Sequence, residues 1–508
     1  MVSCSKETDN PSHAPWEQGN LHEEIVLGSR LENPYSIENV KGAVAALYSA
    51  QAAEGVIYTD YYVRFLPSGK SQLDQLKRQG ITMVDHPIDY EIIRDGDYYH
   101  DPQIAKDHIT WQYAVVPKDF VFPAGIRYEI IQRCFLAENS PTKASDGIDW
   151  DAVEAQSFRM TGNGSMLQET SGTKAAASSP SGRITIVDGE FNGGQPIGVS
   201  GVKVECNVFV KFSSAYTDRD GYYQIPKKFS TDPRYRLVFT NEKGFSIGLN
   251  TILYRGSVSG LGKQSVSGVD VAVTQDSERK LFRRCVANNA AYDFYMRCQK
   301  EDLDLPAPPS DISMWMFDSL AESSTVMLHH GTVLDIEISN IYYKIAAWVV
   351  QLMGPDITLG TKDSMSYSQI YSTVIHELAH ACHYGKVGNS YWNRFITYII
   401  TCAIKGANLY GDSGLENSGL CAVSEMWAYY LEDKFYRDRY GVQSAGFGSG
   451  FWFHPQILTQ LESRGLSASQ IFQAFDSDIT DVSGLKEKLI DLYPKKKTVI
   501  NQIFNRYE

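Results

Sequence analysis

Cysteine is scarce in this chain of 508 residues: there are eight, Cys4, Cys134, Cys206, Cys285, Cys298, Cys382, Cys402 and Cys421. None stands in a C-x-x-C spacing with another, which argues against a cysteine-ligated metal site. Cys285 with Cys298, or Cys402 with Cys421, can form disulfides in an oxidising compartment, and the competing reading is buried thiols packed as small hydrophobes. Long apolar runs are missing as well. The most apolar stretch, residues 395–404, falls far short of the roughly eighteen residues that a membrane-spanning helix needs. Positive charge is in deficit: 47 Lys and Arg against 60 Asp and Glu leave a formal charge of −13, which argues against a nucleic-acid binder with its basic face.

What is present is an ordinary globular composition, 43% hydrophobic, at a length that makes about three domains. One stretch organises the rest. Residues 371–385 read Tyr-Ser-Thr-Val-Ile-His-Glu-Leu-Ala-His-Ala-Cys-His-Tyr-Gly, with an H-E-x-x-H pattern from His376 to His380. Ile370, Val374, Ile375, Leu378 and Ala381 supply an apolar stripe at helical spacing. Ser366 or Ser368 can cap the start of this helix, and Gly385 is placed to end it. Residues four apart on a helix share a face, so His376 and His380 can offer two imidazole nitrogens to one metal ion. Glu377 turns to the same side and can reach a water on that metal, the arrangement a zinc hydrolase needs.

In chain order, residues 1–33 read as a disordered polar tether. The sequence Met-Val-Ser-Cys4 followed by Ser5, Lys6, Glu7, Thr8 and Asp9 resembles the end of a bacterial lipoprotein signal peptide. That resemblance implies a lipid anchor on Cys4 and an extracytoplasmic protein, outer-membrane-anchored and facing the periplasm or the cell surface. Residues 34–156 alternate helical and strand patterns and make an α+β domain without a catalytic arrangement, since His86, His100 and His108 are dispersed. Residues 157–182, rich in Gly, Ser, Thr and Ala, form a linker. Residues 183–275 carry short strands, including 202–206, 208–212 and 235–239, separated by turns, as in an antiparallel β-sandwich. Within them, Gly198-Val-Ser-Gly-Val-Lys-Val204 and Thr217-Asp-Arg-Asp-Gly-Tyr-Tyr-Gln-Ile-Pro226 resemble the carboxypeptidase-regulatory-like, transthyretin-like modules, which implies a structural or adhesive role.

Residues 276–508 are mainly helical: a helix over 281–298, strands over 324–330, 332–338 and 356–360, a helix over 342–352, and then the histidine helix. Strands followed by an H-E-x-x-H helix resemble the zincin metallopeptidase domain, in which an edge strand pairs with an extended substrate. The metzincin continuation fails, because His383 and Lys386 stand where Gly and His are required. The gluzincin-type alternative takes a glutamate from a later helix. Ser424-Glu-Met-Trp-Ala-Tyr-Tyr-Leu-Glu432 resembles that second motif, with Glu425 as third ligand and the small Ala428 one turn on. Residues 386–418 are then an insertion between the motif helices. Glu416, Glu432 and Asp433 are the rivals to Glu425, the last two expected to face solvent. His383 is expected in a packing or supporting role.

The resemblance implies a zinc metallopeptidase cleaving extracytoplasmic proteins or peptides, with Zn2+ on His376, His380 and Glu425 and Glu377 as general base. The donor that meets the oxyanion is open among Tyr384, Tyr391, Tyr429, Tyr430 and His454. Two alternatives stand beside this reading: an inactive zincin scaffold serving as a surface binding or adhesion lipoprotein, and a zinc hydrolase of a non-protein amide bond. The expected fold is a multidomain α+β chain with an N-terminal α+β domain, a central sandwich and a helical C-terminal domain.

Overall fold

A computed structural model describes residues 24–96, 98–105, 108–140, 147–167, 177–248, 257–277, 279–317, 320, 323–333, 354–404, 410–444, 447 and 450–507. Cys4, most of the expected tether, the expected helix over 342–352 and most of the expected strand over 332–338 lie outside these residues. The protein is mixed α+β in three successive regions: an N-terminal region of helices and strands, a central region of β-sheets, and a mainly helical C-terminal region.

The first region runs β1 (Val26–Arg30), α1 (Ile37–Leu47), α2 (Ala50–Glu54), β2 (Asp60–Leu66), α3 (Lys70–Arg78), β3 (Met83–Val84), β4 (Tyr90–Arg94), β5 (Gln112–Pro117), β6 (Arg127–Cys134) and α4 (Trp150–Met160). Ser36 caps α1, its hydroxyl accepting from the Asn39 amide at 3.1 Å, and Ile37, Val40 and Val44 turn inward as their spacing requires. Strands β3, β5, β2 and β6 form an antiparallel sheet in that order. The region is longer than its sequence pattern suggests. β1 pairs with β4 inside the stretch read as tether, and α4 runs past residue 156 into the stretch read as linker.

The central strands are β7 (Ser181–Val187), β8 (Pro196–Gly198), β9 (Val202–Val208), β10 (Lys211–Tyr216), β11 (Tyr222–Gln224), β12 (Arg234–Asn241), β13 (Ser246–Ile247), β14 (Val258–Lys263) and β15 (Val271–Val273). One sheet orders β11-β7-β15, with β8 also on β7. The other runs β10-β9-β12, with β14 and β13 on β12. Ile184, Ile186, Val204, Cys206, Tyr235 and Leu237 are fully buried in this region. Pairing is antiparallel except between β15 and β7, which run parallel. The strand expected over 208–212 begins instead at Lys211. Phe209, at φ 46°, and Val210 turn the chain, and Lys211 pairs back on Val208.

The C-terminal region contains α5 (Arg279–Arg297), β16 (Ser313–Phe317), β17 (Ser324–Thr325), β18 (Ile357–Gly360), α6 (Tyr367–Ile404), α7 (Ser418–Tyr440), α8 (Gln456–Ser463), α9 (Ala468–Phe472), α10 (Val482–Leu492) and α11 (Lys497–Phe504). The strand expected over 324–330 is only β17, because the chain turns at residues 328–331. β13 pairs in parallel with β16 and β16 with β18, while β17 closes the sheet antiparallel to β18. One sheet therefore passes without a break from the central region into the C-terminal one. No helix among the described residues is long and apolar enough to cross a membrane. The seven described cysteines are all buried thiols, so neither pair allowed by the sequence is bridged.

The histidine helix does not end where expected. Ser366 caps its start, accepting from the Gln369 amide at 3.3 Å, but the helix passes through Gly385 and breaks at Gly388, with φ 75° and ψ −179°. Helix resumes to Ile404, so much of the expected insertion is a second helical arm. A side chain meets no obstruction at Gly388; the restriction is the backbone, in a region open essentially to glycine alone. Gly388→Ala is therefore expected to lower unfolding free energy by about 1–3 kcal/mol. Gly385→Ala, in helical backbone with Pro309 no nearer than 3.8 Å, should be neutral or raise it by up to about 1 kcal/mol. Paired denaturant titrations check this, and a stabilising Gly388→Ala would contradict the break.

Candidate metal centre

The two motif helices run antiparallel, and their register sets the site. Near one end Tyr371 of α6 meets Tyr440 of α7, ring centroids 6.1 Å apart. Farther along, His376 meets Glu432 and His380 meets Glu425. On α6, Ser372, Thr373, His376 and His380 follow three-four spacing; on α7, Glu425, Tyr429 and Glu432 do the same. Two polar stripes thus face each other where the two helices pack. The buried Ala428 sits one turn beyond Glu425, as expected of a small residue at a close helix contact.

His376, His380 and Glu425 each direct one ligand atom to a common point, all within 4.8 Å of one another. His376 Nε2 lies 3.3 Å from Glu425 Oε2, and His380 Nε2 lies 3.4 Å from Glu425 Oε1. These separations are long for charge-assisted hydrogen bonds, and the buried Glu425 Oε2 makes no hydrogen bond of good geometry. The two contacts engage different oxygens of Glu425, so the carboxylate lies between the two imidazoles. The group can hold a metal ion, and it is the only such group among the described residues.

Burial alone would push the His376 pKa down, but Glu425 and Glu432 outweigh it and hold that imidazole well above its usual range. Burial would likewise raise Glu425, yet His380 and His376 carry it down to about 2. Glu377 shows the opposite balance: its burial wins over the neighbouring histidines and its carboxyl is raised. Glu377 lies beside the three donors on the wall of a cavity of about 420 Å3.

Two supporting contacts were not legible in the sequence. Thr325 of β17 places its hydroxyl 2.7 Å from Glu377 Oε2 and 2.8 Å from the Glu377 carbonyl oxygen, and its single proton serves one of them at a time. Glu432, expected in solvent, accepts from His376 Nδ1 at 3.1 Å. In the neutral ring that bond puts the proton on Nδ1 and the lone pair on Nε2, and it turns the ring towards Glu425. The i,i+7 spacing of Glu425 and Glu432 was the available signal. Asp433, also expected outside, is buried; it accepts from Arg437 Nε at 2.7 Å and from the Ser444 amide at 3.1 Å. Glu416 is exposed and takes no part.

Of the five candidate oxyanion donors only Tyr429 lines the cavity. Its ring centroid is 4.6 Å from that of His376, and its hydroxyl shares a 2.7 Å hydrogen bond with Tyr410, which the sequence reading had not singled out. Tyr384 bonds to the His330 carbonyl, Tyr391 stacks on His383, Tyr430 packs on Trp427, and His454 lies against Tyr507. The sheet ends beside the site at β17, which is two residues long, and the Thr325 carbonyl accepts from Trp392 Nε1 at 2.9 Å.

His383 occupies an aromatic box formed by Tyr391, Trp392 and Phe475, with ring centroids at 5.4, 5.8 and 5.5 Å. Neither ring nitrogen has a hydrogen-bond partner, and burial drives its pKa down to about 3. It packs as a neutral ring. Below its ordinary value of about 6.5 the unfolded chain takes up a proton that the native chain refuses, so stability falls as pH drops from there towards 3. His383→Leu is expected to be neutral or stabilising by about 1 kcal/mol at pH 7.5, and to flatten the loss of stability between pH 6.5 and 5. Denaturant midpoints at both pH values test this; a strongly destabilised variant would give the ring a polar partner.

Glu432→Ala removes the acceptor that orients His376 and should weaken metal retention by about 10–100-fold. Competition with a chelator of known affinity reads this, and unchanged retention would make the contact incidental. No protein-family model matches the chain, and no curated protein matches it, so the case for what this centre does rests on its chemistry.

Proposed function

We propose that the chain is a zinc-dependent metallopeptidase of gluzincin type, with His376, His380 and Glu425 as zinc ligands and Glu377 as general base. The observation that carries this reading is the convergence of His376, His380 and Glu425, with ligand atoms all within 4.8 Å of one another, and a buried carboxylate one residue from the first of them. Two imidazoles and one glutamate are one of the donor sets of catalytic zinc sites, which keep a further position open. Zinc bound there supplies a Lewis acid and lowers the pKa of a coordinated water.

The remaining work belongs to side chains. Glu377, raised by burial, accepts a proton from the attacking water and returns it to the departing amine. Thr325 steadies that carboxylate from the edge strand. Tyr429 offers a hydroxyl towards the charge that develops on the carbonyl oxygen, with Tyr410 as its hydrogen-bond partner. Glu432 holds His376 in the ring orientation and tautomer that a ligand requires.

The test joins metal analysis to a peptide-library digest. Wild type should hold about one zinc per chain and cut peptides. Glu377→Gln should keep the metal and lose about 10²–10⁴-fold in rate. Glu425→Ala should lose metal, and Tyr429→Phe should keep it while losing about 10²–10³-fold in kcat. Undiminished hydrolysis by Glu377→Gln would sink the mechanism. A zinc-loaded wild type that cuts no peptide would move the reading to a non-peptide amide.

A further inference from the structure

The N-terminal region keeps much of its apolar surface outside. Of the fifteen large hydrophobic residues exposed among the described ones, nine lie between Val26 and Met160, and three of those nine stand close together. Val121, in the connection from β5 to β6, is 79% exposed, while Tyr128 and Ile130 of β6 are 41% and 46% exposed. The register of β2 on β6 explains the grouping. Tyr61 stands opposite Arg133, Val63 opposite Ile130 and Phe65 opposite Tyr128, so all six belong to one face of the sheet. Farther across that face, Leu76 of α3 packs with Val63, Phe65, Met83 and Ala114. At the β6 edge the cover is a row of rings instead. Phe122 stacks on Tyr128 with centroids 4.1 Å apart, Phe120 and Tyr61 meet Phe122 at 5.2 and 6.3 Å, and Tyr58 follows at 5.2 Å from Tyr61.

Single surface hydrophobes need no explanation, but a contiguous band with basic residues beside it does. Lining a small core would account for the half-buried rings and would not leave Val121 in water. Charge selects the partner. Residues 70–78 and 118–134, which include α3, the connection and β6, hold six Lys and Arg against three Asp and Glu, in a chain of net charge −13. Arg133 lies over the Tyr58 ring at 5.1 Å, and Lys118 is exposed where the connection begins. Rings, tyrosine hydroxyls and neighbouring cations are the composition suited to the boundary between hydrocarbon and water, where aromatic rings sit at headgroup level and basic side chains reach the phosphates. We propose that this face binds an anionic lipid surface, with Val121 and its neighbouring rings entering the headgroup layer and Lys118 and Arg133 on the phosphates. Such binding is peripheral and needs no spanning helix. It depends neither on the peptidase reading nor on a lipid at Cys4, and it gives the N-terminal region a task.

The experiment floats the full-length chain carrying Cys4→Ser, which can hold no lipid at that position, with vesicles. Phosphatidylglycerol and phosphatidylcholine in equal parts should bind the protein at least about tenfold more tightly than phosphatidylcholine alone. The excess should fall away as salt rises from about 0.1 M to about 1 M. Val121→Asp should weaken binding to the anionic vesicles at least about tenfold, and because that side chain is exposed the denaturation midpoint should not move. Ile130→Asp and Arg133→Glu should each act in the same direction. Failure to bind anionic vesicles, equal binding to both kinds, or binding that survives Val121→Asp combined with Ile130→Asp overturns the inference. So does a dimer formed without vesicles that these substitutions dissolve, since the face then belongs to a second copy of the chain.

Discussion

Charge meeting charge between two buried helices is the constraint on which the C-terminal half depends. Glu425, His380 and Glu377 are each no more than 5% exposed, and they face one another where α6 and α7 pack. Removing such groups from water is costly, and a buried ion cluster is a poor source of stability compared with apolar residues of the same volume. The helix pair is held instead by what surrounds the cluster: Trp392, Trp427, Tyr371 and Tyr430 are among the largest fully buried side chains of the chain. Polar atoms kept inside so apolar a contact are grouped closely enough that they could hold a metal ion.

The regions ahead of this helix pair are built into it. A continuous sheet joins β12 through β13 to β16, β18 and β17, so the strand that carries Thr325 belongs to the same sheet as the central region. Asp188, just after β7, is fully buried and accepts from Arg439 at 2.8 Å and Tyr440 at 2.9 Å at the end of α7. Glu190 accepts from Ser368 at 2.6 Å at the start of α6. One short segment of the central region therefore grips both site helices at the end where they meet. The register that brings Glu425 opposite the two histidines is fixed partly by residues about two hundred positions earlier.

The parts of the site legible in the sequence are those whose geometry is local. His376, Glu377 and His380 lie within five residues on one helix, and 3.6-residue periodicity alone brings the two histidines to one face. Glu425 was legible because its motif carries a small residue one turn on. Thr325 and Glu432 were not, because both depend on which elements meet in space. Thr325 lies on a two-residue strand, too short for any alternation to show, and Glu432 reads as one more acidic residue on a charged helix. The break at Gly388 was misplaced to Gly385 for a related reason. Both glycines follow an apolar periodic run, and only the left-handed backbone, set by packing on each side, separates them. The central strands over 202–206 and 235–239 were located well, since alternating Val, Ile and Tyr need no tertiary information, whereas the turn at Phe209 and Val210 displaced the one expected over 208–212. Their continuation into the next region, through two-residue β13, had no pattern to reveal it.

Trp392 ties these elements together. It stands four residues beyond the break, on the arm whose next turn carries Phe395 and Ile396, and its indole nitrogen bonds the Thr325 carbonyl. The Thr325 hydroxyl in turn meets Glu377, while the indole packs edge-on to His380, centroids 5.9 Å apart. The helical arm, the edge strand, Glu377 and one metal-ligand candidate are thus linked through a single fully buried side chain. Because close-packed interiors transmit small displacements, a shift of the arm moves Thr325 and Glu377 with it. The break at Gly388 is what allows this arrangement. The chain changes direction there, and the residues that follow bring Trp392 onto the Thr325 carbonyl.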